Sequence, residues 1–104
     1  MKFKCECSHV IVDQTDDLSY KGYIVPDKEW FNLLDAIDEA VEKSGPSSRD
    51  KEAALMKVRS MANRISRVAY QCPKCGRLHL CNDSGALHTY EPASNSISKI
   101  ILDA

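Results

Sequence analysis

Four cysteines form two close pairs, and cysteine thiolates are preferred ligands of zinc. Cys5 and Cys7 are one residue apart, whereas Cys72 and Cys75 belong to a CPKCG segment that begins after 64 intervening residues. Structural zinc takes four ligands in a tetrahedron, with sulfurs ~3.8 Å apart. The two pairs together therefore predict one structural zinc ion per chain, with no coordination position open for catalysis.

The two pairs differ in how readily they can turn around a metal ion. Alternate residues of a strand stand ~6.5 Å apart, so Cys5 and Cys7 can chelate only if the chain turns there. Gly76 follows the second pair and allows the positive φ that points backbone N–H groups at sulfur, but Ser8 follows the first pair. We therefore regard Cys5 as the weakest of the four predicted ligands and His9 as its first substitute.

Other interpretations of the cysteines stay open. Buried metal-free thiols, an iron centre or a redox-active CxxC would use the same residues, although a redox CxxC normally opens a helix and CPKCGRLHL opens a strand pattern. An odd total of five cysteines argues against a complete set of disulfides. Cys81 is interpreted as a small buried hydrophobic residue rather than a ligand, although its replacement of one of the paired cysteines stays open. His79 and His88 are further substitute ligands.

Strand patterns flank both cysteine pairs, and helical patterns lie between them. Five segments have the composition of strands: FKCECSHVIVD, YKGYIV, AYQC, RLHLC and ALHTYEP. NDSG, between the last two, is typical of a hairpin turn. Apolar residues recur at helical spacing over residues 27–44 and again to about residue 69. Gly45-Pro46 separates the two helices, and Ser47 or Ser48 can cap the second. The prediction is one α+β domain, 1–104, in which both chain ends form a β unit and an antiparallel helical hairpin is inserted at about 27–69.

The CPKCG segment and the hairpin after it resemble the second knuckle of the zinc-ribbon family. The matching positions are Cys72, Cys75, Gly76, Leu78, Leu80 and the NDSG turn. In that family two cysteine knuckles clamp one structural zinc, which implies a zinc-ribbon β unit here. The resemblance covers residues 69–92 well and 3–13 loosely, and the helical hairpin has no counterpart in the basic ribbon. The whole chain also resembles small, uncharacterised bacterial zinc-ribbon proteins, which implies no function.

Composition is that of an ordinary soluble globular domain. The 104 residues are 43% hydrophobic and carry a formal net charge of −1, so the chain has no overall attraction to nucleic acid or to anionic membranes. No apolar run approaches the ~20 residues of a membrane span, and MKFKCEC lacks the apolar stretch of a signal peptide. We expect a cytoplasmic protein without membrane association.

The polar sides of the two predicted helices carry opposite charges. The acidic side of the first helix has Asp35, Asp38, Glu39 and Glu42, and the basic side of the second has Lys57, Arg59, Arg64 and Arg67. A basic face can bind nucleic acid, but two solvated faces that help the hairpin pair are the favoured interpretation. Phe31 falls on the acidic side, where it either contacts a partner or is covered by the tail or a loop.

Two segments have less decisive patterns. Asp13, Asp16 and Asp17 lack the glycine and distal glutamate of a calcium loop, so we expect a solvated loop there. The tail, ASNSISKIILDA, suits a short helix or a docked strand through Ile97, Ile100 and Ile101. Lys4, Lys74 and Arg77 lie close enough in sequence to the cysteines to offset the charge of a thiolate site.

No arrangement typical of an enzyme can be specified, and we expect none. The leading hypothesis is a protein-interaction or adaptor module whose partner is another protein. A nucleic-acid-binding zinc ribbon is one alternative. A toxin-neutralising, immunity-type bacterial protein is another, supported by size and charge alone. An enzyme using His79 and Cys81 beside the metal is the remaining class.

Overall fold

The computed structural model describes residues 1–93 and 101–102, and it confirms the α+β fold. The elements in chain order are β1 (Lys2–Lys4), β2 (Val10–Val12), β3 (Lys21–Ile24), α1 (Asp27–Lys43), α2 (Ser48–Ile65), β4 (Arg67–Gln71), β5 (Leu78–Cys81) and β6 (Leu87–Tyr90). They form two compact units: a β unit of Met1–Ile24 with Arg67–Ala104, and a helical unit, Val25–Ser66. Within the described residues, no helix is long and apolar enough to cross a membrane.

The β unit contains two antiparallel sheets. β1 pairs with β2, and a second sheet has the order β3-β4-β5-β6. The buried cluster consists of Ile11, Tyr70 and two of the paired cysteines. The ring of Phe3 lies edge-on against Tyr70 and His79, with centroid distances of 5.4 and 5.1 Å. Because half of the residues in the buried cluster are cysteines, these side chains pack in the core and also offer thiols to a metal.

A polar cluster joins the two sheets of the β unit. Asp13, directly after β2, accepts a hydrogen bond from the Tyr70 hydroxyl and lies 2.8 Å from Lys21 Nζ. The Tyr20 hydroxyl donates to the carbonyl of Val12. The expectation of a solvated loop was therefore wrong for Asp13, whose side chain is only 18% exposed. Lys21 in β3 pairs with Tyr70 in β4. Their side chains are therefore close enough for the Asp13 carboxylate to contact both of them.

The helical unit follows the predicted periodicity but ends earlier than expected. Ser47 caps α2 by accepting a hydrogen bond from the Asp50 N–H at 3.1 Å. The predicted helical stretch ran to about residue 69, whereas α2 ends at Ile65. Val68 and Ala69 belong to β4, where they pair with β3. Apolar residues at this spacing fit either pattern, and the backbone pairing with β3 decides for the strand.

The predicted tail falls largely outside the described residues, and Ile97 and Ile100 are among those that the structure does not describe. Ile101 and Leu102 are described. The Ile101 N–H donates to Gln71 Oε1 at 2.8 Å. Leu102 lies so close to Gly22 that a Cβ there would stand 3.0 Å from Leu102 Cδ2. These two residues therefore dock on the second sheet.

Candidate metal centre

The structure brings all four predicted ligands together. The Sγ atoms of Cys5, Cys7, Cys72 and Cys75 all lie within 4.8 Å of one another. Across the two pairs, Cys5 is 3.6 Å from Cys75 and Cys7 is 3.5 Å from Cys72. A tetrahedral site with four thiolates has sulfurs ~3.8 Å apart. The cluster therefore has the size of a cage that can hold one metal ion.

Two tight turns position the cysteines. In the first turn, Ser8 has φ 78° and donates its N–H to the Cys5 carbonyl at 2.9 Å. In the second turn, Gly76 has φ 78° and donates to the Cys72 carbonyl at 2.8 Å. The first cysteine of each turn also donates its N–H to a carbonyl after the turn: Cys5 to His9, and Cys72 to Arg77. The turn required by the Cys5-x-Cys7 spacing is therefore present, and it is one residue shorter than the CPKCG turn.

Backbone N–H groups stabilise negative charge on the sulfurs. Burial opposes ionisation of Cys75, but the Arg77 N–H and the neighbouring thiols outweigh it and lower the pKa of Cys75 to about 6. Burial raises the pKa of Cys5 to about 12 against the opposing effect of the Cys7 N–H. Burial also raises the pKa of Cys72, although two backbone N–H groups oppose it. Ionisation is thus favoured at Cys75 and opposed by burial at Cys5 and Cys72, and a bound cation would offset that burial.

Among the residues that the structure describes, Arg77 is the cationic side chain in contact with the cluster. Its Nη1 lies 3.4 Å from Cys75 Sγ, and its Nε lies 3.6 Å from a carboxylate oxygen of Glu6 in the first turn. Its Nη2 lies 3.9 Å from a carboxylate oxygen of Glu91. Four thiolates around a divalent ion carry a formal charge of −2, which a guanidinium at this place partly offsets. Lys4 and Lys74, the other two predicted cations, are exposed.

The substitute ligands do not join the cluster of four cysteines, which is the metal-ligand group found among the described residues. His9 contributes its backbone carbonyl to the first turn. Cys81 is partly buried against the core. His79 Nδ1 lies 2.9 Å from the Thr89 hydroxyl, and His88 Nε2 lies 3.0 Å from Asn82 Nδ2.

Gln71 supports the second turn and was missed by the sequence reasoning. It is 6% exposed, and its Nε2 donates to the Gly76 carbonyl at 3.4 Å. Its Oε1 accepts the hydrogen bond from Ile101 described above. A glutamine beside a CxxC pair has no distinctive pattern, because its role depends on a partner 30 residues away.

Comparison with protein-family models gives a match, whereas two other comparisons do not. No curated protein and no solved structure matches the chain. A family model described as "Domain of unknown function (DUF8617)" matches residues 1–94. The match includes both cysteine pairs and both helices, and the chain therefore belongs to this DUF8617 family.

Proposed function

We propose that the protein binds one structural zinc ion through Cys5, Cys7, Cys72 and Cys75. The observation that carries this proposal is the convergence of the four Sγ atoms to within 4.8 Å. A set of four thiolates in a tetrahedron suits zinc. Backbone N–H groups and Arg77 face the sulfurs and supply the support that negatively charged ligands need. The β unit would then be a zinc-ribbon-like unit with a shortened first knuckle.

The role of the zinc is to hold the β unit together. It would join two turns that are 64 residues apart in the chain. Metal binding of this kind contributes on the order of 10 kcal/mol to folding, which is comparable to the whole stability of a small domain. The small apolar cluster around Ile11 and Tyr70 makes such a contribution decisive.

The biological role we propose is that of a protein-interaction or adaptor module rather than an enzyme. A zinc ion with four thiolate ligands has no open position for substrate or water. What the chain presents instead is exposed, patterned surface, above all on its helices, where no residue of α1 is buried. The partner in this role is another protein, met in the cytoplasm.

Metal analysis tests the zinc proposal. Purified protein should contain about one zinc per chain, and Cys72→Ser should lose both the metal and the folded β unit. Cys81→Ser is the matched control, because Cys81 lies outside the cluster, and it should keep its zinc. A metal-free preparation whose melting curve is unchanged would overturn the proposal. If the purified protein contained stoichiometric iron instead of zinc, the site would be an iron centre.

Nucleic-acid binding is the second candidate, favoured by the composition of α2. This helix has five basic residues and two acidic ones. Charge-driven binding should weaken steeply with salt and should be lost in Arg59→Glu. Absence of binding to single- or double-stranded probes at low salt would remove this candidate.

A further inference from the structure

One line of apolar side chains on α1 is open to solvent. Its members follow one another at steps of four, three and four residues, the spacing of a helix-packing seam. We call this line the apolar seam: Trp30, Leu34, Ile37 and Val41. Their exposed fractions run from 37% at Leu34 to 76% at Val41. The adjacent line, represented by Ala36 and Ala40, borders the groove towards α2, so α1 packs on α2 with one line and leaves its neighbour free.

The second helix extends this open surface. Ala54 borders the groove between the helices, and Leu55, one residue further along, is 54% exposed. In an antiparallel pair of helices, the residue that follows a contact residue points away from the contact by about 100°. On both helices this direction is towards the same side of the pair. Leu55 therefore lies on the same side of the hairpin as the apolar seam. The charged side chains of Glu39, Lys43 and Lys57 line the groove on the opposite side.

The helical unit buries little apolar surface. No residue of α1 is buried, and Ile65 is the buried residue of α2. Helices in proteins owe most of their stability to the packing of an amphipathic face. Four amphipathic helices around such seams form a closed bundle, and two copies of this hairpin supply four.

The charges of the two helices favour a second copy of this chain as the partner. α1 has six acidic and two basic residues, whereas α2 has five basic and two acidic ones. A two-fold axis makes a surface face itself, so either α1 meets α1 or α1 meets α2 of the other copy. The first arrangement opposes like charges. In the second, Asp38 and Glu42 beside the seam face the helix that carries Arg59.

We propose that the protein forms a homodimer through this side of the helical unit. The apolar seam of each copy packs against the side of α2 that carries Leu55 on the other copy. In this arrangement α1 of one protomer lies on α2 of its partner. The result is a four-helix bundle in which acidic and basic helices alternate. This inference does not depend on the metal centre, which lies in the β unit.

Sedimentation equilibrium of the full chain tests the dimer. The expected mass is twice the 11.6 kDa of one chain. Ile37→Gln should raise the dimer dissociation constant about a hundredfold. Met56→Gln is the matched control, because Met56 is 55% exposed on α2 and lies two residues beyond Ala54, about 200° around the helix from the groove towards α1. This variant should stay dimeric. A wild-type mass of one chain at every concentration overturns the proposal, as does an Ile37→Gln variant as dimeric as the control.

Charge reversal tests the arrangement of the helices. Asp38→Lys should weaken the dimer about tenfold if α1 faces α2, and adding Arg59→Glu should restore it. If α1 faced α1, Asp38→Lys would relieve repulsion and tighten the dimer, which would contradict the arrangement. Circular dichroism and backbone NMR spectra of each variant show that the change is in association rather than in folding of the β unit.

Discussion

Ser8 and Gly76 have the same backbone φ of 78°, each one residue after the second cysteine of its pair. Both donate an N–H to the carbonyl of the first cysteine of that pair. The two halves of the candidate metal centre are therefore built on one conformation, although their sequences differ in length and in the residue at this place. Glycine adopts this conformation freely, whereas a residue with a Cβ incurs a cost of roughly 1–2 kcal/mol.

Replacement of Ser8 by glycine should stabilise the protein. Because Ser8 has a positive φ, Ser8→Gly should raise the free energy of unfolding by about 1 kcal/mol. Ser8→Val should lower it by more than that, because a β-branched side chain fits this region worst. Chemical denaturation of the metal-loaded protein measures both effects. Ser19 is a suitable control, since its φ is not positive and Ser19→Gly should bring no gain. Equal effects at both positions would contradict the conformational argument.

Much of the architecture could be predicted because it follows from short-range patterns. The spacing of apolar residues over 27–44 predicted α1. The predicted cap of α2 was Ser47 or Ser48, and Ser47 is the one that accepts the capping hydrogen bond. The cysteine spacing predicted which sulfurs meet. These patterns act over a few residues, or they combine two cysteine pairs whose number suits one site with four ligands.

Features that depend on distant partners were not predictable from local patterns. Asp13 looked like part of a solvated loop, and its burial depends on Tyr70, 57 residues away. The sequence required a turn at Cys5-x-Cys7 but did not predict the positive φ of Ser8, because serine rarely takes that conformation. The secondary structure at Val68 was ambiguous, because an apolar residue there suits a helix or a strand. Its pairing with Tyr23 of β3 makes it part of a strand.

Removal of the Arg77 guanidinium should weaken metal binding. Arg77 contacts Cys75 and spans both turns through Glu6. Loss of a group that supports a metal ligand typically costs 10–100-fold in affinity, so we expect Arg77→Gln to raise the metal dissociation constant about tenfold. Competition with a chelator of known affinity measures this. Lys74→Gln, at an exposed lysine in the same turn, should have little effect. A similar loss in both variants would show that only long-range charge matters.

The Asp13 cluster should make stability depend on acid pH. Its ion pair with Lys21, and then the Tyr70 hydroxyl, hold the pKa of Asp13 below the usual 3.8. A group whose pKa is depressed by folding stabilises the protein above its unfolded pKa and loses this effect as pH falls through the folded pKa. The contribution should therefore be complete near neutrality and disappear below about pH 4.

Asp13→Asn separates this contribution from protonation of the cysteines at low pH. The variant should be less stable than the wild type by about 2 kcal/mol at pH 7, and the difference should shrink as the pH falls below 4. Asp16→Asn, at an exposed aspartate, should leave the curve unchanged. Urea denaturation at several pH values gives the comparison. A difference that stayed constant down to pH 2 would exclude titration of Asp13 as its cause.

The hydrogen bonds of Gln71 connect the turn that holds Cys72 and Cys75 with the docked residues 101–102. Its amide donates to Gly76 and accepts from Ile101 inside a buried site. Gln71→Leu should lower the free energy of unfolding by about 1–3 kcal/mol, since buried polar groups lose their partners. It should also speed hydrogen exchange at the Ile101 amide, because that N–H then has no acceptor. Gln14→Leu, at an exposed glutamine, provides the control and should change neither quantity. If the Ile101 amide exchanged equally in both variants, the docking of residues 101–102 would not depend on Gln71.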